Sequence, residues 1–154
     1  MSVYLLALLI GIIAGLRAMT APAAVAWATY LGRLDLGGTW LAFFGNVWVR
    51  WILTALALVE LVTDQLPSTP SRTVPIQFGT RIVTGALSGA AIGVAGGSWV
   101  GGLIAGVVGA VIGTLGGRAA RARLAAAFGS DRPAALIEDA VAIGGALLIV
   151  MALR

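Results

Sequence analysis

The stretch from residue 51 to residue 72, WILTALALVELVTDQLPSTPSR, decides how the rest of the chain is interpreted. It begins as an apolar run, then carries Glu60 and Asp64 one helical turn apart, and ends in a polar run that contains two prolines. A carboxylate within an apolar membrane helix is costly unless it faces a partner, a bundle interior or water. The stretch therefore predicts a membrane helix whose end carries two acids with a specific role.

The composition of the whole chain also indicates a membrane protein. Hydrophobic residues make up 60% of its 154 residues and charged residues only 10%, and the mean hydropathy is +1.02. An ordinary soluble domain carries about 25% charged residues, which it needs to keep its surface wet. We therefore predict an all-α integral membrane protein, with one transmembrane domain over residues 1–154.

The residue types that are missing exclude several kinds of chemistry. Cysteine and histidine are absent, which removes thiol nucleophiles, imidazole bases and the usual zinc, copper and haem sites. We expect no cofactor, no metal site and no catalytic residue, although enzymatic activity stays open. The net charge of +4 comes from arginine alone, and we attribute it to cytoplasmic loops rather than to nucleic-acid binding.

Five apolar segments are predicted to span the membrane. They cover residues 3–28, 41–65, 81–97, 100–117 and 133–153. The first exceeds the roughly 20 residues that a bilayer needs, so it either tilts or breaks near Pro22, which lacks an amide donor. Residues 1–80 thus hold two spans and a proline-rich linker that extends to Arg81. Residues 81–154 hold two glycine-rich spans, a basic interfacial helix over residues 117–128, and the last span.

Arginine and tryptophan residues predict the orientation. With five spans, one side carries most of the arginines, namely Arg72, Arg81, Arg118, Arg121, Arg123 and Arg132. The positive-inside rule places that side and the N-terminus in the cytoplasm, and the C-terminus outside. All five tryptophans fall toward the outer side, as an interfacial aromatic belt would.

A weak internal repeat relates residues 10–18, IGIIAGLRA, to residues 111–119, VIGTLGGRA. The two copies lie in the first and fourth predicted spans. Because an odd number of crossings separates them, they would have inverted orientation, which is the pattern of many transporter folds.

Two acidic pairs are candidate residues of a substrate or proton pathway. Glu60 and Asp64 share one helix face, and Glu138 and Asp139 lie at a similar depth in the fifth span. We predict a polar vestibule that opens to the cytoplasm and takes up a proton or cation. The alternative is that these acids pair with arginines to fix the loops, and that Glu138 and Asp139 favour a helix N-terminus.

Arg17 is a second costly residue, since it lies deep in the first segment and toward the outer leaflet by residue count. It either snorkels, pairs with an acid, or binds an anionic group beside Thr20. A separate loop offers hydroxyl groups and guanidinium groups that could hold a phosphate, from residues Ser68, Thr69, Ser71, Arg72 and Arg81. A rigid proline-rich linker is the alternative for that loop.

Small residues recur every four positions in the third and fourth spans. Such spacing lets helix backbones approach closely in lipid, either within a subunit or across a dimer. We therefore predict helix packing through Gly85, Gly89, Gly93, Gly97, Gly101, Gly106 and Gly113.

Three polar motifs resemble a bacterial membrane family over nearly the whole chain. They are GLRAMTAPA at residues 15–23, the run from Glu60 through DQLPSTPSR at residues 64–72, and EDAVA at residues 138–142. The chain resembles the domain-of-unknown-function family 4126. The resemblance implies a small multispanning bacterial protein, but no activity and no site residue.

Three functions are compatible with these patterns. The first is a small transporter or channel for an ion or a small polar or anionic solute, with proton coupling as one version of it. It would work in the bilayer as a homo-oligomer, with a dimer favoured. The second is a binder or enzyme of anionic lipid phosphates at the cytoplasmic face. The third is a structural membrane protein whose charges only set its topology.

Overall fold

A computed structural model describes residues 2–64 and 74–153 of the chain. The described residues form six α-helices and one short 3-10 helix at Ala42–Gly45, and they include no strand. The α-helices are α1 Val3–Leu16, α2 Thr20–Tyr30, α3 Val47–Thr63, α4 Pro75–Ala95, α5 Trp99–Phe128 and α6 Asp131–Ala152. The all-helical prediction is therefore confirmed for this part of the chain.

Length and composition make three of these helices, α4, α5 and α6, able to cross a membrane, and α1 is a shorter apolar helix. Local sequence explains several of the helix ends. The Asn46 side chain accepts a hydrogen bond from the Trp48 amide at 2.8 Å, and Ser98 accepts one from the Gly101 amide at 3.1 Å, as capping residues do. Gly129 separates α5 from α6 at a positive φ of 68°, which glycine adopts without strain.

The first apolar segment is broken, which is one of the two predicted alternatives, but the break lies between Leu16 and Thr20 rather than at Pro22. The two halves form a helical hairpin. The Tyr4 hydroxyl donates to the carbonyl of Gly96 at the end of α4, whereas Arg81 near the start of α4 donates to the carbonyl of Gly15. Hence α1 runs antiparallel to α4. After the break, α2 runs back in the opposite direction, so that Arg33 donates to the carbonyls of Met151 and Leu153 at the end of α6.

The bundle has two chemically different ends. We call one the tryptophan end, where Trp27 contacts Trp51 and Trp40 contacts Trp99. We call the other the arginine end, which holds the last turns of α5 with Arg118, Arg121 and Arg123, and also Arg132. The predicted separation of tryptophans from most arginines is therefore present in the structure.

Helix directions differ from the five-span prediction. Every connection reverses the direction of the chain, so that Tyr4 at the start of α1 and Leu153 after α6 both lie at the tryptophan end. The five-span scheme placed the two chain ends on opposite sides. It missed the reversal because hydropathy does not distinguish one tilted helix from two short antiparallel ones.

Several predicted boundaries change as well. Helix α4 begins at Pro75, so residues 75–80 are helical rather than part of an extended linker, whereas residues 65–73 of that linker lie outside the described residues. Residues 117–128 continue α5 without a break instead of forming a separate interfacial helix. The proposed repeat lies in α1 and α5, which run parallel, because both are antiparallel to α4. The predicted inverted orientation is therefore wrong.

Helices α1, α4 and α5 pack with their backbones close together, and glycine allows this. A Cβ atom at Gly85 would lie 2.8 Å from the Ala110 side chain, and one at Gly93 would lie 2.7 Å from the Cα of Gly102. Gly89 and Gly106 face each other in the same way, and Gly113 lies against Ile12 of α1. These contacts lie within a single subunit.

Two of the predicted packing glycines have other surroundings. Gly97 lies in the turn between α4 and α5 with a positive φ of 88°, and a Cβ atom there would meet nothing within 4 Å. Gly97 therefore allows the turn to form and does not take part in helix packing. Gly101 faces the ring of Tyr4 on α1 rather than α4.

Single cysteines provide a test of the helix directions, because the native chain contains none. We expect Ser2→Cys and Ala152→Cys to react with a membrane-impermeant maleimide from the same side of the membrane, and Ser130→Cys from the other. The reason is that α1 begins and α6 ends at the tryptophan end, whereas Ser130 precedes α6 at the arginine end. Labelling of Ser2→Cys and Ala152→Cys from opposite sides would support five spans instead.

Candidate functional site: a buried charge cluster at the hairpin tip

At the tip of the hairpin, the helical conformation is interrupted at Arg17. This residue is extended, with φ −143° and ψ 109°, so the carbonyl groups of the last turn of α1 lose their helical partners. Arginine side chains replace those partners. Arg81 donates to the Gly15 carbonyl at 2.6 Å, and the Arg17 guanidinium donates to the Leu16 carbonyl at 2.9 Å. Thr114 on α5 approaches the Gly15 carbonyl at 3.5 Å.

Arg17 is fully buried, with an exposed fraction of 0%, and three carboxylates surround it. Its Nε donates to Asp139 Oδ1 at 2.7 Å and its Nη1 donates to Glu138 Oε1 at 2.7 Å. Nη1 also lies 3.1 Å from Asp64 Oδ2, and Nη2 forms a further ion pair with Asp139. A buried guanidinium needs such partners, because an unpaired buried charge costs several kcal/mol.

Arg81 extends the cluster from α4. It is also buried, with an exposed fraction of 3%, and its Nη2 lies 3.8 Å from Asp64 Oδ2. Asp64 thus lies between two guanidinium groups, those of Arg17 and Arg81. The cluster connects the hairpin tip, the end of α3, α4 and the start of α6.

Glu60 differs from the other three acids, because it lines a cavity without forming an ion pair with any arginine in the described part of the chain. Its carboxylate lies 3.4 Å from the amide of Met19, just before the N-terminus of α2, a position where the helix dipole favours a negative charge. Among the described residues, no guanidinium nitrogen lies within 4 Å of the Glu60 carboxylate, the limit for an ion pair. The cavity has a volume of about 320 Å³ and is lined by Met19, Leu56, Val59, Glu60, Thr63, Asp64 and Gln77.

Four of the six acids of the chain therefore lie together. Asp64, Glu138 and Asp139 pair with arginines of the cluster, and Arg121 approaches from α5 by donating to the Asp64 carbonyl at 3.0 Å. Glu60 forms no such pair among the described residues, so its carboxylate can attract a proton or a cation. Within the described ranges, no group of three or more acidic residues has the geometry to hold a metal ion.

The structure places the predicted pathway residues closer together than the sequence indicated. Glu60, Asp64, Glu138 and Asp139 lie at one end of the bundle, as predicted. Arg17 was predicted to lie apart from them, toward the outer leaflet, and this is wrong, because the hairpin returns it to the acids. Of the alternatives for Arg17, pairing with acids is the one that the structure contains.

The remaining predicted residues do not join the cluster. Thr20 is buried but lines an apolar groove between α2, α3 and α6. Ser68, Thr69, Ser71 and Arg72 lie outside the described residues. Sequence analysis missed Gln77 and Thr114, which lie at the site. Neutral polar residues in apolar helices were the available signal for both, but their pattern did not distinguish them from ordinary helix residues.

Comparison with known proteins adds no relative. No family model matches the chain, and neither a curated protein nor a solved structure matches it. The resemblance to family 4126 therefore stays a prediction. The chemistry of the cluster is therefore the basis for any proposed function.

Proposed function

We propose that this protein is a small inner-membrane transporter or channel that moves a proton or a small cation through the charge cluster. Glu60 would take up the positive charge from the cavity, and Asp64, Glu138 and Asp139 would share it with Arg17. The observation that carries the proposal is Glu60, a carboxylate near the end of the largely apolar helix α3 that faces a cavity with no guanidinium of the described residues beside it. Intramembrane acids of this kind often mark ion pathways and proton relays.

The backbone at the site supports the same proposal. Interrupted helices are common at the binding sites of secondary transporters, where their ends face the transported ion. Here the carbonyl end of α1 is bound by arginine side chains, and the Met19 amide at the start of α2 faces Glu60. Irregular backbone at membrane depth is tolerated only where protein surrounds it or where it lines a wet cavity.

The anionic-solute version of the transporter loses support. Arg17 was its anion ligand, but the guanidinium of Arg17 is occupied by the chain's own carboxylates. The lipid-phosphate function relied partly on Arg81, which is buried against Asp64 and the Gly15 carbonyl. A purely structural protein remains the alternative that a transport assay has to exclude.

We orient the protein in the membrane by the end that carries most of its arginines. The arginine end would face the cytoplasm, in agreement with the positive-inside rule, and the cavity beside Glu60 would open on that side. Both Tyr4 and Leu153 would then lie near the outer face. A homo-oligomer remains part of the proposal, with the exposed apolar residues in the second half of α3, such as Leu58, Val59 and Val62, as its contact surface.

Replacing Glu60 with glutamine provides the test. We expect the protein in liposomes to conduct protons, sodium or potassium down an imposed gradient, and Glu60→Gln to reduce that flux to the level of protein-free vesicles, because the amide cannot bind the charge. An internal pH dye measures the proton flux, and a potential-sensitive dye measures the metal-ion fluxes. The matched control is Asp35→Asn, which neutralises an exposed acid far from the cluster and should conduct like the wild type.

The ion is identified by which gradient drives the flux in the wild type. Unchanged flux in Glu60→Gln would contradict the assignment of Glu60. A wild type that cannot be distinguished from empty vesicles under all three gradients would contradict transport itself and favour a structural role.

A further inference from the structure

Arg50 forms a second buried cationic site, at the opposite end of the bundle from the charge cluster. It lies in the first turn of α3, four residues after the capping residue Asn46. Its exposed fraction is only 9%. It is the only buried residue of α3, which indicates that neighbouring side chains hold it in place.

Three aromatic rings surround the guanidinium of Arg50. Its central carbon lies 3.9 Å from the centroid of the Tyr30 ring, 5.1 Å from that of Trp27 and 5.8 Å from that of Trp51. Trp27 contacts both other rings edge-on. A guanidinium stacks well on such ring faces, and cation–π attraction stabilises its charge there.

The rings stabilise the charge of Arg50 but leave its hydrogen-bond donors unsatisfied. A guanidinium has five N–H donors, which point outward in its plane. Across the described ranges, no acceptor forms a hydrogen bond with the Arg50 side chain and no carboxylate lies within 4 Å of it, and its buried Nε has no partner at all. An unpaired buried donor on a charged group is costlier than one on a neutral group, because the charge loses its hydration as well.

An external oxyanion would satisfy these donors. Phosphate oxygens match the planar donor pattern of a guanidinium in a two-bond geometry. The surrounding rings are accessible, since Tyr30 is 60% exposed and Trp51 is 53% exposed. Tryptophan and tyrosine are also the residues that lie at the level of lipid head groups.

We propose that Arg50, with Trp27, Tyr30 and Trp51 around it, binds a phosphate oxyanion at the tryptophan end. The phosphate is carried by the head group of an anionic lipid or is free in solution. In either case the guanidinium edge binds the phosphate oxygens, and the three rings fix the plane of the guanidinium. This site is independent of Glu60 and of the ion pathway.

The experiment titrates the purified full-length protein in a neutral detergent with three ligands. They are a short-chain phosphatidylglycerol, the diacylglycerol of the same chain length, and inorganic phosphate. Tryptophan fluorescence measures binding, because Trp27 and Trp51 flank Arg50. We expect saturable binding of phosphatidylglycerol and none of diacylglycerol. Arg50→Gln should weaken phosphatidylglycerol binding by about tenfold or more, the loss of a hydrogen bond to a charged group.

The inorganic phosphate arm distinguishes the two sources. Saturation by inorganic phosphate that depends on Arg50 assigns the site to free phosphate, whereas a response to phosphatidylglycerol alone assigns it to a lipid head group. Arg123→Gln, an exposed arginine at the other end, is the matched control and should bind as the wild type does.

Two results would overturn the proposal. One is the absence of binding of both phosphate ligands by the wild type, which would mean that water alone satisfies Arg50. The other is unchanged affinity in Arg50→Gln. If that variant does not fold, Arg50→Lys retains the charge but not the planar donor edge, so it should still bind more weakly than the wild type. Equal binding of diacylglycerol by the wild type would also contradict the proposal, independently of any variant.

Discussion

Arg17→Met is expected to prevent the protein from reaching a stable folded state. Methionine has a similar length but no charge, so Asp64, Glu138 and Asp139 would be left buried together without their shared partner. Removing one partner of a buried ion pair costs about 3–5 kcal/mol. Because a domain is stable by only about 5–15 kcal/mol, a loss on this scale should lower the midpoint of thermal unfolding strongly or abolish the folded peak in size-exclusion chromatography.

Three further variants test the cause of that loss. Arg123→Met removes an exposed arginine and should change stability by less than about 0.5 kcal/mol. Arg17→Lys retains the charge but not the planar donor set, and should be intermediate. Adding Glu138→Gln and Asp139→Asn to Arg17→Met should restore part of the stability, because it removes two of the stranded charges. A wild-type unfolding midpoint in Arg17→Met would show that the cluster does not stabilise the fold.

Gly106→Ala is expected to have the second-largest effect, although it adds only one methyl group. That methyl carbon would lie 3.0 Å from the carbonyl carbon of Gly85 and still closer to its oxygen, and 3.1 Å from the Cα of Gly89. The obstacle is backbone, which cannot rotate away as a side chain can. Overpacking costs about 1–3 kcal/mol, and here α4 and α5 would have to separate. Thermal unfolding in detergent measures the loss.

Gly116→Ala on the same helix is the matched control for this prediction. A Cβ atom at Gly116 would meet nothing within 4 Å, so the variant should be as stable as the wild type or gain up to about 1 kcal/mol from helix propensity. Equal stability of the two variants would indicate that the glycines of α5 are not needed for close packing.

The sequence allowed the class of the protein and most of the site residues to be predicted. The composition predicts an all-helical membrane protein, because a chain with so few charges cannot keep a soluble surface wet. The same reasoning identified Arg17, Glu60 and Asp64, since charged residues in apolar segments are costly and have to be satisfied. The concentration of tryptophans at one end and of most arginines at the other was also visible in the sequence.

The sequence did not allow the course of the first segment to be predicted. Residues 3–28 form one apolar run, and neither periodicity nor Pro22 indicates that the chain reverses at Arg17. The reversal is stabilised by residues far along the chain, namely Arg81 and Thr114, which contact the Gly15 carbonyl, and Asp139, which binds Arg17. Long-range contacts of this kind leave no local pattern.

The sequence by itself thus determined which residues require partners, because the cost of a buried charge depends on the residue and on the apolar residues beside it. Only the tertiary structure decided which partners they have. The course of α1 brings Arg17 to Glu138 and Asp139, and the start of α2 places the Met19 amide beside Glu60 and the cavity. The physical reason is that ion pairs and the capping of exposed carbonyl groups depend on distances in space, which the order of residues along the chain does not specify.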